Sequence, residues 1–309
     1  MQENLPAMQA ALLSDRGVVK VTGDDARRFL HGLLSADILA LTPGLARYGA
    51  LLTPQGKIIA DLIVGEAPAA DGGGFFLDVA RAQSKPLVDK LNLYKLRSHV
   101  TVEDLSDTLG VLAVWNGHNW KGLGAPAFGL AYADPRLPAL GLRIMIPPHR
   151  AADAAAEIGV HLVDASEYEA RRIALGIPSG GVDFIYGDAF PHEADMDQLG
   201  GVDFAKGCYV GQEVVSRMEH RGIARTRAVP VFYDGAAPPP GTAVAAGERQ
   251  LGTMGSAASG RGIALLRLDR LAEALARGET LLAGGVAIRP AKPDWARFDF
   301  PGAPKAAAE

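Results

Sequence analysis

The texture of the chain changes once, near Arg227, and that change restricts the folds open to it. Before it, apolar residues recur at helical spacing in some stretches and at strand spacing in others. Ala26, Phe29, Leu30, Leu33, Leu34 and Ile38 predict one buried helix face, opened by Gly23-Asp24-Asp25, where acids suit the helix dipole. Residues 47–52 and 57–64 predict two strands joined by Thr53-Pro54-Gln55-Gly56, which has the proline and glycine of a turn. Further strands are predicted over 18–21, 75–79, 99–103, 109–115 and 140–146, with helices over 83–94 and 150–158. Asp164 and Glu167 form a capping box for a helix through Ala174, which Gly176-Ile177-Pro178 stops. This is an α+β pattern, and it lacks the Gly-rich first turn of a doubly wound nucleotide fold. After Arg227 the pattern is all short strands, over 229–233, 243–245, 250–254 and 262–268. One short helix, 271–277, interrupts them, and Pro238-Pro239-Pro240-Gly241 punctuates them. That predicts a small β-barrel or sandwich over 226–300, a preceding region over 1–225 and a frayed tail over 301–309.

With 309 residues, 48% of them hydrophobic, the chain can bury a large core without disulfides or structural metal. A formal net charge of -4 gives no basic field to recruit nucleic acid. No apolar run reaches the about 18–20 residues of a membrane span, and residues 1–15 lack the layout of a signal peptide. Together with a single cysteine, this predicts a cytoplasmic protein with no membrane or direct nucleic-acid partner.

That cysteine, Cys208, lies in Asp203-Phe204-Ala205-Lys206-Gly207-Cys208-Tyr209-Val210-Gly211-Gln212-Glu213. One thiol closes no intrachain disulfide and is too few for a metal or cluster site of its own. The glycines on either side allow close approach, and Lys206 together with a following helix start favours thiolate over thiol. Cys208 therefore reads as a reactive or ligand-contacting thiol, against the alternative of an inert buried one.

Asp61 is a carboxylate inside the apolar strand Ile58-Ile59-Ala60-Asp61-Leu62-Ile63-Val64. Facing a cavity, it would accept paired N–H groups or act as a base; the alternative is a surface-facing position. Tyr48, on the neighbouring strand, can stack on a ring ligand or pack across the hairpin. Arg217, His220, Arg221, Arg225 and Arg227 form a basic run that suits an anionic ligand tail or acidic partner, or a solvated helix end. Pro191-His192-Glu193 offers site groups or plain loop polarity. The seven histidines show no helical zinc spacing, so no metal site is expected, and phosphate-loop and nucleophile-elbow signals are missing.

The segment Lys206-Gly207-Cys208-Tyr209-Val210-Gly211-Gln212-Glu213 resembles the YgfZ family, folate-binding relatives of the glycine-cleavage T-protein that include mitochondrial iron–sulfur assembly factors. Tyr48-Gly49-Ala50-Leu51-Leu52-Thr53-Pro54-Gln55-Gly56-Lys57, Arg172 to Pro178, Phe190 to Ala194, Gly252 to Ser256 and Gly262 to Leu266 extend the resemblance over most of the chain. It implies a T-protein-like fold: two intertwined α+β folate-binding subdomains and a C-terminal β-barrel around a central hole that takes tetrahydrofolate. It implies folate contacts from Tyr48, Asp61, Tyr209, Gln212 and Arg217, with Cys208 and Lys206 as the acting pair. The implied function is iron–sulfur cluster assembly or repair, with consequences for tRNA methylthiolation, in a monomer that meets cluster carriers or client enzymes. Folate-dependent aminomethyl transfer or demethylation through Asp61 is the alternative. Ala60 stands where the T-protein has a first acid, and Gly176 where it has another, which argues against that transfer.

Overall fold

The computed structural model describes residues 7–69, 72–117, 129–222 and 224–301. The chain divides into two compact units, Met1–Tyr168 with Leu199–Gln212, and Glu169–Gln198 with Glu213–Glu309. Among the described residues no helix is long and apolar enough to cross a membrane.

The first unit carries β1 (Gln9–Leu13), β2 (Arg16–Thr22), α1 (Ala26–Leu33), β3 (Ala46–Leu52), β4 (Ile58–Glu66), β5 (Phe75–Ala80), α2 (Arg81–Lys95), β6 (Thr101–Asp104), β7 (Gly110–Trp115), β8 (Leu130–Ala133), β9 (Leu142–Ile146), α3 (Ala151–Ile158) and β10 (His161–Leu162). They form two five-stranded sheets, β3-β4-β5-β2-β6 and β10-β1-β7-β9-β8. Only Ser14 and Asp15 separate β1 from β2, yet the two strands belong to different sheets.

In the first sheet one face is apolar: Val19, Val21, Ala60, Leu62, Val64, Leu77 and Val79 pack against Leu30 and Leu33 of α1 and Leu87 and Leu91 of α2. Strand periodicity then forces Tyr48, Asp61 and Asp78 onto the other face. The second sheet covers its outer face with α3, through Leu112, Val114, Ile144, Ala154 and Ala155. Helix α1 ends at Leu33, not at Ile38 as its apolar spacing predicts, because Leu34 is extended. Ile38 is still buried, but from the loop beyond the helix.

The helix α4 (Ala165–Ala174) stops as its sequence predicts. Gly176 takes φ +73°, with the N–H of Ile177 bonded to the Arg172 carbonyl and that of Gly176 to the Ile173 carbonyl. The second unit holds α5 (Gln212–Arg221), β11 (Thr226–Tyr233), β12 (Ala243–Ala246), β13 (Arg249–Ala258), β14 (Arg261–Arg267), α6 (Leu268–Ala276), β15 (Leu281–Ala283) and β16 (Val286–Pro290). The six strands close into a barrel, β11-β14-β13-β12-β15-β16, so the fold is α+β with a true barrel and not a sandwich. Val229, Val231, Val244, Leu251, Met254, Leu266 and Ile288 fill it. A buried guanidinium ties α4 to β13: Arg172 donates to Asp183 (2.8 Å), Ser256 (2.8 Å) and the Ile177 carbonyl.

Candidate functional site

The loop before α5 is fixed at its lysine and displays its cysteine. Lys206 is buried, and its Nζ donates to the carbonyls of His31 (2.6 Å), Leu34 (2.6 Å) and Ala36 (2.9 Å). His31 is in the last turn of α1, Leu34 caps the helix and Ala36 follows it, and an ammonium has three donors to give their carbonyls. This explains why the helix stops early: the ammonium supplies donors that another turn would have supplied. Burial lowers the Lys206 pKa to about 8, against the pull of Asp37 and Asp203, so the group is still an ammonium at neutral pH. The Tyr209 ring centroid lies 5.1 Å from it. The Tyr209 hydroxyl is buried without a hydrogen-bond partner, and burial, with Asp203, pushes it up to about 12. Asp203 turns the backbone by accepting from the N–H groups of Ala205 and Lys206. At Gly211 (φ +84°) a Cβ would sit 2.5 Å from the Thr53 carbonyl, so only glycine lets the loop lie on the β3–β4 turn. Between these anchors Cys208 is a free, exposed thiol.

Tyr48 and Asp61 also come together: the Tyr48 hydroxyl donates to Asp61 Oδ2 at 3.2 Å, and both residues are nearly closed off, at 2% and 4% exposure. They lie on the face of the first sheet opposite α1, whereas Val210 packs into the core on the α1 side. Tyr48 and Asp61 thus face away from the side on which Val210 meets the core. The Lys206 ammonium is held by carbonyls at the end of α1, and Asp61 holds its tyrosine among other charges.

Those charges were missed by sequence reading. Asp78 of β5 accepts from Arg16 (2.6 Å) and from Arg143 of β9 (2.5 Å). Arg143 also reaches Asp134 (2.8 Å) and the Tyr168 hydroxyl (3.0 Å), and Arg136 closes on Asp134 (2.7 Å) while lying 5.7 Å from the Tyr48 ring centroid. Burial would raise the Asp78 and Asp134 carboxyls, but their arginines reverse this and leave both below the ordinary range. Burial, and then Asp61, pushes the Tyr48 phenol well up. A buried ionic layer therefore joins the facing sheets. Its signal was available: Asp78 in Phe-Phe-Leu-Asp-Val-Ala and Arg143 in Leu-Arg-Ile-Met-Ile interrupt apolar strands just as Asp61 does.

In the second unit Arg217 is exposed and paired with Glu213 (2.5 Å) one turn away. It borders a 420 Å³ cleft with Glu193, Arg225 and Arg267. Arg227, the end of the basic run, is instead buried and bonded to Asp195 (3.0 Å) and both oxygens of Asp197 (2.8 and 2.9 Å). His192 is buried beside them, its Nε2 3.0 Å from Glu219 of α5.

Comparison with known proteins decides what kind of chain carries these features. Residues 11–117 match the GCVT N-terminal domain, and residues 225–298 match the C-terminal β-barrel domain of CAF17. An iron-sulfur cluster assembly factor IBA57 homolog, mitochondrial, from Mycosarcoma maydis is 36% identical over 241 residues, covering 74% of this chain and 59% of the relative. In both matched regions the chain is similar to proteins of the CAF17/IBA57 type. The protein of the same name from Pyricularia oryzae is 34% identical, with 74% and 58% covered. The chain therefore spans under two thirds of the length of the relatives it matches. Within this family type the architecture is that of an aminomethyltransferase. The glycine cleavage system aminomethyltransferase T of Bartonella henselae superposes with a TM-score of 0.73 at 17% identity, over 94% of this chain and 86% of that one. The expected cytoplasmic location is corrected by these relatives, whose names place them in mitochondria. Composition and a lone cysteine report a reducing environment, which does not separate the two compartments.

Proposed function

We propose that this chain acts in the assembly or repair of iron–sulfur clusters, with Cys208 as the group that meets a cluster or its carrier. The observation that carries this reading is an exposed thiol on a loop pinned by Lys206 and Gly211, in a chain whose relatives are named iron–sulfur cluster assembly factors. A single thiol cannot hold a stable cluster, so the remaining ligands come from a partner, a carrier or a client enzyme, bound to a monomer of this chain. The eight-residue segment around Cys208 supports placing it with the YgfZ members of the family, and tRNA methylthiolation is then one downstream readout. Replacing Cys208 with Ser in cells that lack the wild-type protein should abolish rescue of cluster-dependent enzymes. Full rescue would remove the thiol from the reading.

Tetrahydrofolate is the proposed cofactor, and it supplies one-carbon acceptor chemistry when bound. The Asp61 carboxylate suits its aminopyrimidine edge, since a carboxylate takes paired N–H groups, and it stands beside the Tyr48 hydroxyl. Asp61 and Tyr48 would hold that edge, and Arg136 is the side chain it would meet over the Tyr48 ring. Tyr209, Gln212 and Arg217 are proposed contacts from the motif alone. Titration with tetrahydrofolate by calorimetry should show binding that Asp61→Asn removes and Cys208→Ser keeps. Failure of the wild-type chain to bind would strike out the cofactor and leave the role of the thiol standing.

A further inference from the structure

The turn-rich stretch after Pro191 and the helix α5 bring three metal-ligating side chains into one place. One donor atom from each of His192, Asp197 and Glu219 lies within 4.8 Å of the others. Ligands of a divalent first-row ion, bound at about 2.0–2.2 Å, sit about 3–4 Å apart, so a small closing movement completes such a shell. The three side chains are graded in exposure. His192 is buried, Asp197 partly buried, and Glu219 exposed on a 480 Å³ cavity that His192 also lines.

The surroundings favour a cation. His192 Nε2 faces the Glu219 carboxylate at 3.0 Å, a contact that needs a proton or a metal ion between them. Arg227 spans Asp195 and Asp197 and fixes the Asp197 carboxylate, as partners behind metal ligands do. Asp197 Oδ2 takes both Arg227 and Gln198, while Oδ1 takes Arg227 alone and keeps accepting capacity. Behind them lies Asp195, fully buried, its Oδ2 without a hydrogen-bond partner. Glu219, Asp269 and Asp299 line the cavity with Arg225, Arg227 and Arg297, and Asp197 beside them makes four carboxylates to three arginines, a net negative surrounding.

We propose that His192, Asp197 and Glu219 form a divalent-cation site of the one-imidazole, two-carboxylate kind that suits Fe²⁺, Mn²⁺ or Zn²⁺. The proposal does not depend on the reading given to Cys208. The test is equilibrium dialysis of the full chain against Zn²⁺ alone and, without oxygen, Fe²⁺ alone. One ion per chain is expected, with affinity at least tenfold weaker in Glu219→Gln and in Asp197→Asn. Binding should be unchanged in His220→Gln, which removes the exposed neighbouring imidazole. Because Glu219 is exposed, Glu219→Gln should unfold at the wild-type temperature without metal, while added metal raises the wild-type temperature more. The proposal is overturned by no saturable ion, by wild-type affinity in Glu219→Gln, or by equal loss in His220→Gln.

Discussion

Asp78 and Asp134 in the first unit and Asp195 in the second are all buried, and burial pushes all three carboxyls up. Their neighbours then shift them in opposite directions, Asp78 and Asp134 down while Asp195 stays raised. Asp78 has two arginines, Arg16 and Arg143, and Asp134 has Arg136 and Arg143, so both are held ionised. Asp195 has only Arg227, which it shares with Asp197, and one of its oxygens has no partner. Depth does not decide ionisation here. The number of cations each carboxyl can claim decides it.

The strongest way to break this comparison is Arg143→Met. It leaves Asp78 and Asp134 short of a partner at once, and should cost about 3–5 kcal/mol in urea unfolding. A loss under about 1 kcal/mol would mean that water already reaches the layer. Lys206→Met tests a buried cation paired only with carbonyls. It strips the donor from three backbone acceptors and should cost about 1–3 kcal/mol, whereas Cys208→Ser, at an exposed position two residues on, should stay within about 0.5 kcal/mol.

The pH dependence carries the sign of each pair. Asp78 and Asp134 are depressed, so the stability they contribute is complete above the ordinary carboxylate pKa and is lost as pH falls below about 4. Asp195 is raised, so its contribution is present in acid and is lost as pH rises through its folded-state value. Asp195→Asn puts an amide, neutral at every pH, in place of the carboxyl. It should change stability by about 1 kcal/mol or less in acid, where the carboxyl is protonated, and should remove the decline as pH rises. A decline with rising pH that survives in Asp195→Asn would show that Asp195 is not its source.

Much of the fold was legible. The alternation Ala60, Leu62, Val64 against Asp61 and Ile63, the turn at Thr53 to Gly56, and the glycine stop at Gly176 are local rules, and the structure follows them. The strands β1, β8, β10, β15 and β16 were not legible: β10 has only two residues and β15 three, and β1 lies in a different sheet from its chain neighbour β2. Cys208 stood out because it is the single cysteine, and Asp61 because a charge in an apolar strand needs a reason. The roles of Lys206 and Arg227 did not stand out. The sequence reads Lys206 as the neighbour that activates Cys208 and Arg227 as part of a basic run, whereas their acceptors lie 170 to 175 residues away for Lys206 and 30 to 35 for Arg227.

The sequence by itself determined the secondary-structure texture, the all-β character after Arg227 and the segment that carries the thiol, because side-chain periodicity and turn chemistry act within a few residues. Tertiary structure alone decided that Lys206 ends a helix, that Arg143 bridges two sheets, and that His192, Asp197 and Glu219 meet. Each depends on a charge finding partners from distant segments, and a buried charge is stable only where the whole fold supplies them.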